Sequence, residues 1–326
     1  MTAELSIERR RAMLRTAMGP AIAEALVDPA VIEIMVNPDG ALRLDTLGIG
    51  RSDTGVRLDA EQVERIIRLV ASHGRAEVHG TAPIISAELP PHGESAGERF
   101  EGLLPPVVRG PCFAIRKPAA RIYRLINYVA DGIMDAEAAR LLSLAVVERC
   151  NILVAGGTSS GKTTLANALL AEMGHLDERL ILIEDTRELQ SPAADTVALR
   201  TRPGVVGMTE LVRSTLRLRP DRIIVGEVRG PEALDMLKAW NTGHPGGIAT
   251  VHANSAASAL YRIEQLVQEA VVTVPRRLIA EAIDLIVFVA GRGLHRRVAS
   301  LVRVTGVDPD GDYSLVELLN PEGDPS

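Results

Sequence analysis

The chain has 326 residues, 46% of them hydrophobic, and carries a net charge of −6 with only 2% aromatics. That is enough apolar mass for one large domain or, more in keeping with its length, two with separate cores. The acidic balance and the scarcity of aromatics exclude the basic, stacking surfaces that hold nucleic acid, so no sequence-specific nucleic acid binding is expected.

The head, MTAELSIERRRAMLRTAMGP, mixes Glu4 and Glu8 with Arg9, Arg10 and Arg11 and has no long apolar stretch. It predicts no secretory signal. Its first reading is a solvated helix face, and its second a peripheral contact with the inner face of a membrane. VIEIMV, NPDG and ALRLD read as strand, turn and strand, with Pro38 and Gly40 at the second and fourth turn positions, as a type I turn prefers. Asp59 then precedes AEQVERIIRLV, where Val63, Ile66, Ile67 and Val70 share one helical face and Gln62 stands at the capping-box position. FEGLLPPVVRGPCFAIRKP predicts two short strands around Pro105, Pro106, Gly110 and Pro111. Residues 1–117 thus form a small α+β domain. Residues 118–131 show no clear period and read as a linker, after which Asp135 opens the helix AEAARLLSLAVVE.

Residues 132–326 form the second domain. NILVAG, RLILIED, DRIIVGE and GIATVH predict strands, and KTTLANALLAEM, PEALDMLKAW and SALYRIEQLVQEAV predict helices. Apolar strands alternating with helices point to a mostly parallel sheet buried on both faces, an α/β arrangement that binds ligands beyond the carboxyl ends of its strands. The tail beyond Arg303 has six acids and no base and reads as a frayed acidic end. No apolar run approaches the roughly 20 residues of a membrane helix, so no transmembrane segment is expected. Cys112 and Cys150 have neither metal-ligand spacing nor a disulfide framework. That fits a reducing compartment, and the expected location is the cytoplasm.

Chemistry concentrates at the strand ends. Gly156, four residues, then Gly161, Lys162 and Thr163 match the phosphate-loop pattern between a predicted strand and a predicted helix. Glycine lets the backbone turn tightly and aim amides at phosphate oxygens, and the helix N-terminus also favours an anion. The candidate nucleotide-binding residues are Gly156, Gly157, Thr158, Ser159, Ser160, Gly161, Lys162, Thr163 and Thr164. Lys162 would meet the β- and γ-phosphates, and the Thr163 hydroxyl would ligate Mg2+. The competing reading is a ligand-free turn that only caps a helix.

Glu184 and Asp185 end one strand and Glu227 follows another, where carboxylates can handle metal and water. Gly226 stands where a magnesium-site aspartate is usual, so Glu227 acts on the ion alone or through water, and its division of roles with Glu184 stays open. His252 ends a fourth strand; it is either a satisfied core residue or a reader of the γ-phosphate. Arg200, Arg202, Arg213, Arg217, Arg219 and Arg222 crowd one segment, and a solvated face accounts for part of them.

The stretches NILVAGGTSSGKTTLANALL, LILIEDTREL, LRLRPDRIIVGEVRGPEALDMLKAWNTGHPGGIATVHANS and VIEIMVNPDG together resemble the TrbB-type conjugal-transfer ATPases, among the hexameric secretion ATPases. The resemblance spans nearly the whole chain. It implies an N-terminal domain, a short linker and a RecA-like P-loop NTPase domain. It also implies a hexameric ring with nucleotide held between the two domains. Hydrolysis of ATP with Mg2+ would drive pilus assembly or substrate transfer, alongside cytoplasmic parts of a conjugative secretion apparatus.

By the same resemblance Lys162 and Thr163 are the phosphate-loop pair. Glu184 is the acidic-box residue that activates water, Glu227 the atypical Walker B glutamate and ligand of the ion, and His252 the histidine-box residue. Arg99 in GERFEGLLPP and Arg116 in AIRKP resemble N-terminal-domain arginines that reach the phosphates. Arg213 and Arg219 are candidates for subunit-boundary contacts. A nucleotide kinase and a non-hydrolysing nucleotide switch remain the alternatives.

Overall fold

The computed structural model describes residues 2–74, 76–90, 97–118, 122–202 and 204–319. The chain divides into two compact units, Met1–Ala120 and Arg121–Ser326.

The first unit runs α1 (Thr2–Val27), β1 (Val31–Val36), β2 (Ala41–Thr46), β3 (Gly50–Arg57), α2 (Ala60–Gly74), β4 (Ile84–Glu88), β5 (Arg99–Leu103) and β6 (Cys112–Arg116). Its six strands form an antiparallel sheet in the order β3-β2-β1-β6-β5-β4. The NPDG turn closes through Gly40 N donating to Asn37 O at 2.8 Å. Gly40 lies at φ 75°, and a Cβ there would sit 2.1 Å from Leu58 O, so only glycine fits. Asp59 caps α2 by accepting from Gln62 N at 2.7 Å. Gln62 does not complete a capping box, because its side-chain amide donates to Ala17 O on α1 instead. The predicted apolar face of α2 is buried, together with Leu14, Met18 and Ile22 of α1, Phe100 and Ile115. The basic head is therefore part of a helix whose other side enters the core. Arg9 and Arg11 are exposed, and the side chains of Glu4, Glu8 and Arg10 lie outside the described residues.

The second unit runs α3 (Leu125–Ala130), α4 (Ala136–Val147), β7 (Ile152–Gly156), α5 (Lys162–Glu172), β8 (Leu180–Glu184), β9 (Thr196–Arg200), α6 (Met208–Thr215), β10 (Arg222–Val225), α7 (Glu232–Asn241), β11 (Ile248–His252), α8 (Ala256–Gln268), α9 (Arg276–Ala282), β12 (Leu285–Ala290), β13 (Arg297–Val307) and β14 (Tyr313–Glu317). The period-free segment 118–131 contains α3, whose Leu125 and Tyr128 are buried in this unit's core; residues 119–121 lie outside the described residues. Asp135 caps α4 by accepting from Ala138 N at 2.6 Å.

The sheet of this unit has the order β14-β13-β12-β7-β11-β10-β8-β9. From β12 to β9 every pairing is parallel, while β13 and β14 are antiparallel additions. Ile152 and Val154 pack on one face with Leu142 of α4 and Leu165 of α5. Leu153 and Ala155 pack on the other with Leu237 of α7 and Ile263 of α8. A strand covered on both sides has no polar face, which is why these sequences read as unbroken apolar runs. The acidic tail is ordered further than expected. Asp308 caps a turn by accepting from Asp310 N and Asp312 N, and β14 then pairs with β13. Glu322 and Asp324 lie outside the described residues.

Candidate functional site

Parallel strands bring Gly156, Glu184 and His252 to one edge of the sheet. His252 lies directly beside Gly156 in the β11–β7 register, and Val225 of β10 pairs with Ile183 of β8, which sets Gly226 and Glu227 next to Glu184. The loop between β7 and α5 winds through two left-handed residues, Ser159 at φ 61° and Gly161 at φ 95°. Gly156 tolerates no Cβ, which would come within 2.6 Å of both Ser160 Oγ and Val289 O. Ser160 is 2% exposed, and its hydroxyl is buried without a hydrogen-bond partner. Thr158 and Ser159 are exposed, while Gly157, Thr163 and Thr164 are half-buried.

Lys162 opens α5 and is 7% exposed, deep for an ammonium. Its Nζ donates to Gly157 O at 3.1 Å and lies 3.3 Å from His252 Nδ1. His252 Nε2 in turn lies 2.8 Å from Glu227 Oε1. Burial first, and then the Lys162 charge, hold the His252 pKa below its ordinary value, despite the pull of Glu227. A neutral ring with a free Nδ1 accepts from the Lys162 ammonium, while Nε2 lies close to Glu227 Oε1 without the geometry of a hydrogen bond, and that oxygen is buried without a hydrogen-bond partner. Burial opposes ionisation of Glu227, yet the Arg229 hydrogen bond and the Arg229 and Lys162 charges outweigh it and keep that carboxyl below its usual range. Arg229 Nη2 donates to Glu227 Oε2 at 2.5 Å, and its Nη1 is 3.8 Å from Asp185 Oδ2.

Glu184 is held by the turn that follows β8. It is 5% exposed, and its Oε1 accepts from the backbone amides of Glu188 and Leu189 at 2.8 and 2.7 Å. Asn167 of α5 ties the same turn from the other side: its Nδ2 donates to Glu188 O and its Oδ1 accepts from Gln190 N. Gly226 is explained by the same packing, since a Cβ there would lie 3.0 Å from Glu184 Cγ. An aspartate ahead of Glu227 would press into Glu184. Thr250 Oγ1 donates to Gly226 O at 2.7 Å and fixes the segment that carries Glu227.

The remaining arginines are distributed differently. Arg99 and Arg116 are cross-strand partners on β5 and β6 of the first unit. Arg213 is exposed on α6 and paired within the chain to Asp235 of α7 at 3.0 Å. Arg219 is exposed, with its backbone at φ 55°. Arg222 is wholly buried at the opposite end of the sheet, bonded to Glu178.

Residues 84–314 match the family described as type II/IV secretion system protein. The chain belongs to that family. It is 47% identical over 295 residues to the conjugal transfer protein TrbB of Rhizobium radiobacter, covering 90% of each chain. It is 36% identical over 310 residues to the type IV secretion system protein PtlH of Bordetella pertussis, covering 83% of this chain and 89% of that one. Among solved structures it is similar in fold to the pilus retraction motor PilT with bound ADP, at TM-score 0.60 and 19% identity, covering 91% of this chain and 80% of that one. The ATPase DotB of Legionella pneumophila is similar at TM-score 0.58 and 17% identity, covering 91% and 78%. The mixed α/β fold with its mostly parallel sheet agrees with these likenesses.

Within this secretion-family site, sequence reasoning passed over Arg229, Asn167 and Thr250. Two of them left a signal. Arg229 stands two residues after Glu227, a basic residue in an acidic stretch, and Asn167 is a polar residue on the otherwise apolar face of LANALL.

Proposed function

We propose that this chain hydrolyses ATP with Mg2+ and that the hydrolysis drives conformational work, pilus assembly or substrate transfer, in a conjugative type IV secretion apparatus. The observation that carries the reading is the line from Lys162 Nζ through His252 to Glu227, at 3.3 and 2.8 Å, beside the glycine loop. A buried ammonium, a buried hydroxyl without a partner on Ser160 and a backbone that excludes side chains at Gly156 suit a phosphate chain. Thr163 and Glu227 would hold Mg2+. Among the described residues no group of three His, Cys, Asp or Glu could bind a metal by itself. That favours an ion that arrives with the phosphates, as Mg2+ usually does. When bound, the ion neutralises charge on the phosphate oxygens.

In this reading Lys162 and the loop amides hold the phosphates, and neutral His252 orients both Lys162 and Glu227. Glu184 anchors the acidic turn through the Glu188 and Leu189 amides. The names of the relatives support the secretion role, and the resemblance of motifs supports a ring of identical subunits. For Arg99 and Arg116 at the phosphates, and for Arg213 and Arg219 at subunit boundaries, that resemblance is the only support. Among the described residues no helix is long and apolar enough to cross a membrane.

The test is phosphate release from ATP by the full chain and by Lys162→Ala, each measured beside its mass in solution. The expected result is ADP plus free phosphate from an assembled species, with a loss of about a hundredfold or more in Lys162→Ala. A fully active monomer would sink the ring. Tight binding with negligible turnover would favour a switch, and phosphate passed to an added acceptor would favour a kinase.

A further inference from the structure

One basic side chain at the phosphate loop is not used by this reading. Arg296 follows the short 3-10 turn Gly293–His295 that joins β12 to β13. A Cβ built on Gly161 would lie 2.7 Å from Arg296 Cζ and 2.8 Å from its Nε, so the guanidinium rests against the main chain of the loop. Gly161 is constrained by its φ of 95°, whereas the Arg296 side chain could swing aside from a Cβ there. Arg296 Nε is buried and makes no hydrogen bond, and the hydroxyl of Tyr128 on α3 is buried and unpartnered as well. The two groups lie within electrostatic reach of each other. A buried guanidinium N–H without an acceptor is costly unless something supplies one.

Strand order says which part of a nucleotide could do so. Taking β7 as the reference, β11, β10 and β8 lie to one side and carry His252, Glu227 and Glu184. The β12–β13 connection lies to the other. If the transferred phosphate faces the acids and the histidine, the nucleoside end leaves toward Arg296. We infer that Arg296 is a nucleotide-holding residue that binds the α-phosphate from the side opposite the acids. This rests on the ATPase reading above. A guanidinium suits the task, with several donors in a fixed plane and a charge that does not titrate.

The position separates Arg296 from residues that act on the γ-phosphate. Its loss should weaken ADP and ATP alike, because both carry the α-phosphate.

The experiment measures ADP affinity by titration calorimetry, with Mg2+, for the full chain and for Arg296→Met, Arg296→Lys and Lys162→Ala. Methionine keeps aliphatic cover over Gly161 and removes the charge and donors. The expected result is a rise in Kd for ADP of about tenfold or more in Arg296→Met. Arg296→Lys should recover part of the loss, and the KM for ATP should rise in parallel with the Kd. Wild-type ADP affinity in Arg296→Met would overturn the inference and leave packing over Gly161 as the role. Unchanged ADP affinity with a fall in kcat would also overturn it, since that marks a γ-phosphate contact. Failure of the parent reading looks different: wild-type protein would not bind ADP, or Lys162→Ala would bind it as well as wild type.

Discussion

At the residue scale the site depends on one proton. With Lys162 3.3 Å from Nδ1, the His252 ring accepts from the ammonium only when it is neutral, and its Nε2 lies 2.8 Å from Glu227 Oε1. A second proton would turn Nδ1 from acceptor into donor, facing an ammonium. Burial and the Lys162 charge lower the His252 pKa, so the native ring is harder to protonate than the same ring in the unfolded chain. Its contribution to stability is therefore complete above the ordinary histidine value of 6.5 and is lost as pH falls through the lower native value. An NMR titration of the His252 ring should give a midpoint below 6.5, and Lys162→Met should move it upward by removing the second cause of the shift. A midpoint at or above 6.5 in the wild type would remove the basis for a neutral bridging ring. The acid limb of the turnover profile should follow the same midpoint.

At the scale of elements, the turn after β8 shows what a sequence motif conveys and what it hides. LILIED places an acid at the carboxyl end of a strand, and the structure has it there. The pattern does not reveal that Glu184 Oε1 already accepts two backbone amides, because those donors come from residues four and five positions on. A glutamine keeps an oxygen that can accept the same two bonds, and an alanine does not. Glu184→Gln should therefore retain turnover within about tenfold, whereas Glu184→Ala, which leaves two amides of the turn without their acceptor, should lose about a hundredfold. Equal collapse of both variants would make Glu184 a direct base acting on water. Other elements were legible or hidden for similarly physical reasons. β7, β8, β10 and β11 were plain because both faces are covered. β3, whose GRSDTGVR is exposed along most of its length, has no apolar signal to read. β9 and β14 are edge strands of mixed exposure, and their TVALR and YSLVE lack the unbroken apolar run. The head of α1 was legible as a helix, but its buried side and its continuation to Val27 were not, because Gly19 and Pro20 interrupt the period, with Gly19 at φ 72°.

At the scale of the molecule, the parallel sheet separates chemistry from stability. Nucleotide-binding candidates gather at the carboxyl ends of the strands, and a buried arginine sits at the other end of β10. Arg222 is fully buried; its Nε donates to Glu178 Oε2 at 2.5 Å and its Nη1 to Val146 O at 2.8 Å. Glu178 also pairs with Arg149, and a Cβ on Gly246 would lie 2.6 Å from Arg222 Nη1. One side chain thus ties the end of α4, the start of β8 and the loop before β11. In the sequence it was one of six clustered arginines, and nothing in their spacing set it apart from the exposed ones. Removing one member of a buried, hydrogen-bonded ion pair costs about 3–5 kcal/mol; here the carbonyls of Val146 and Gly246 lose their donor, while Glu178 keeps Arg149, so that range is the upper bound. Arg222→Ala should therefore lower the stability of the second unit by up to about that amount in denaturant unfolding. Protein that remains folded should bind ADP with wild-type affinity, since the substitution lies at the far end of the strands from Lys162. A loss of ADP binding with unchanged unfolding would refute this division and make Arg222 part of the site. Arg213→Ala offers the contrast: its exposed pair with Asp235 should be worth no more than about 1 kcal/mol in the same unfolding measurement.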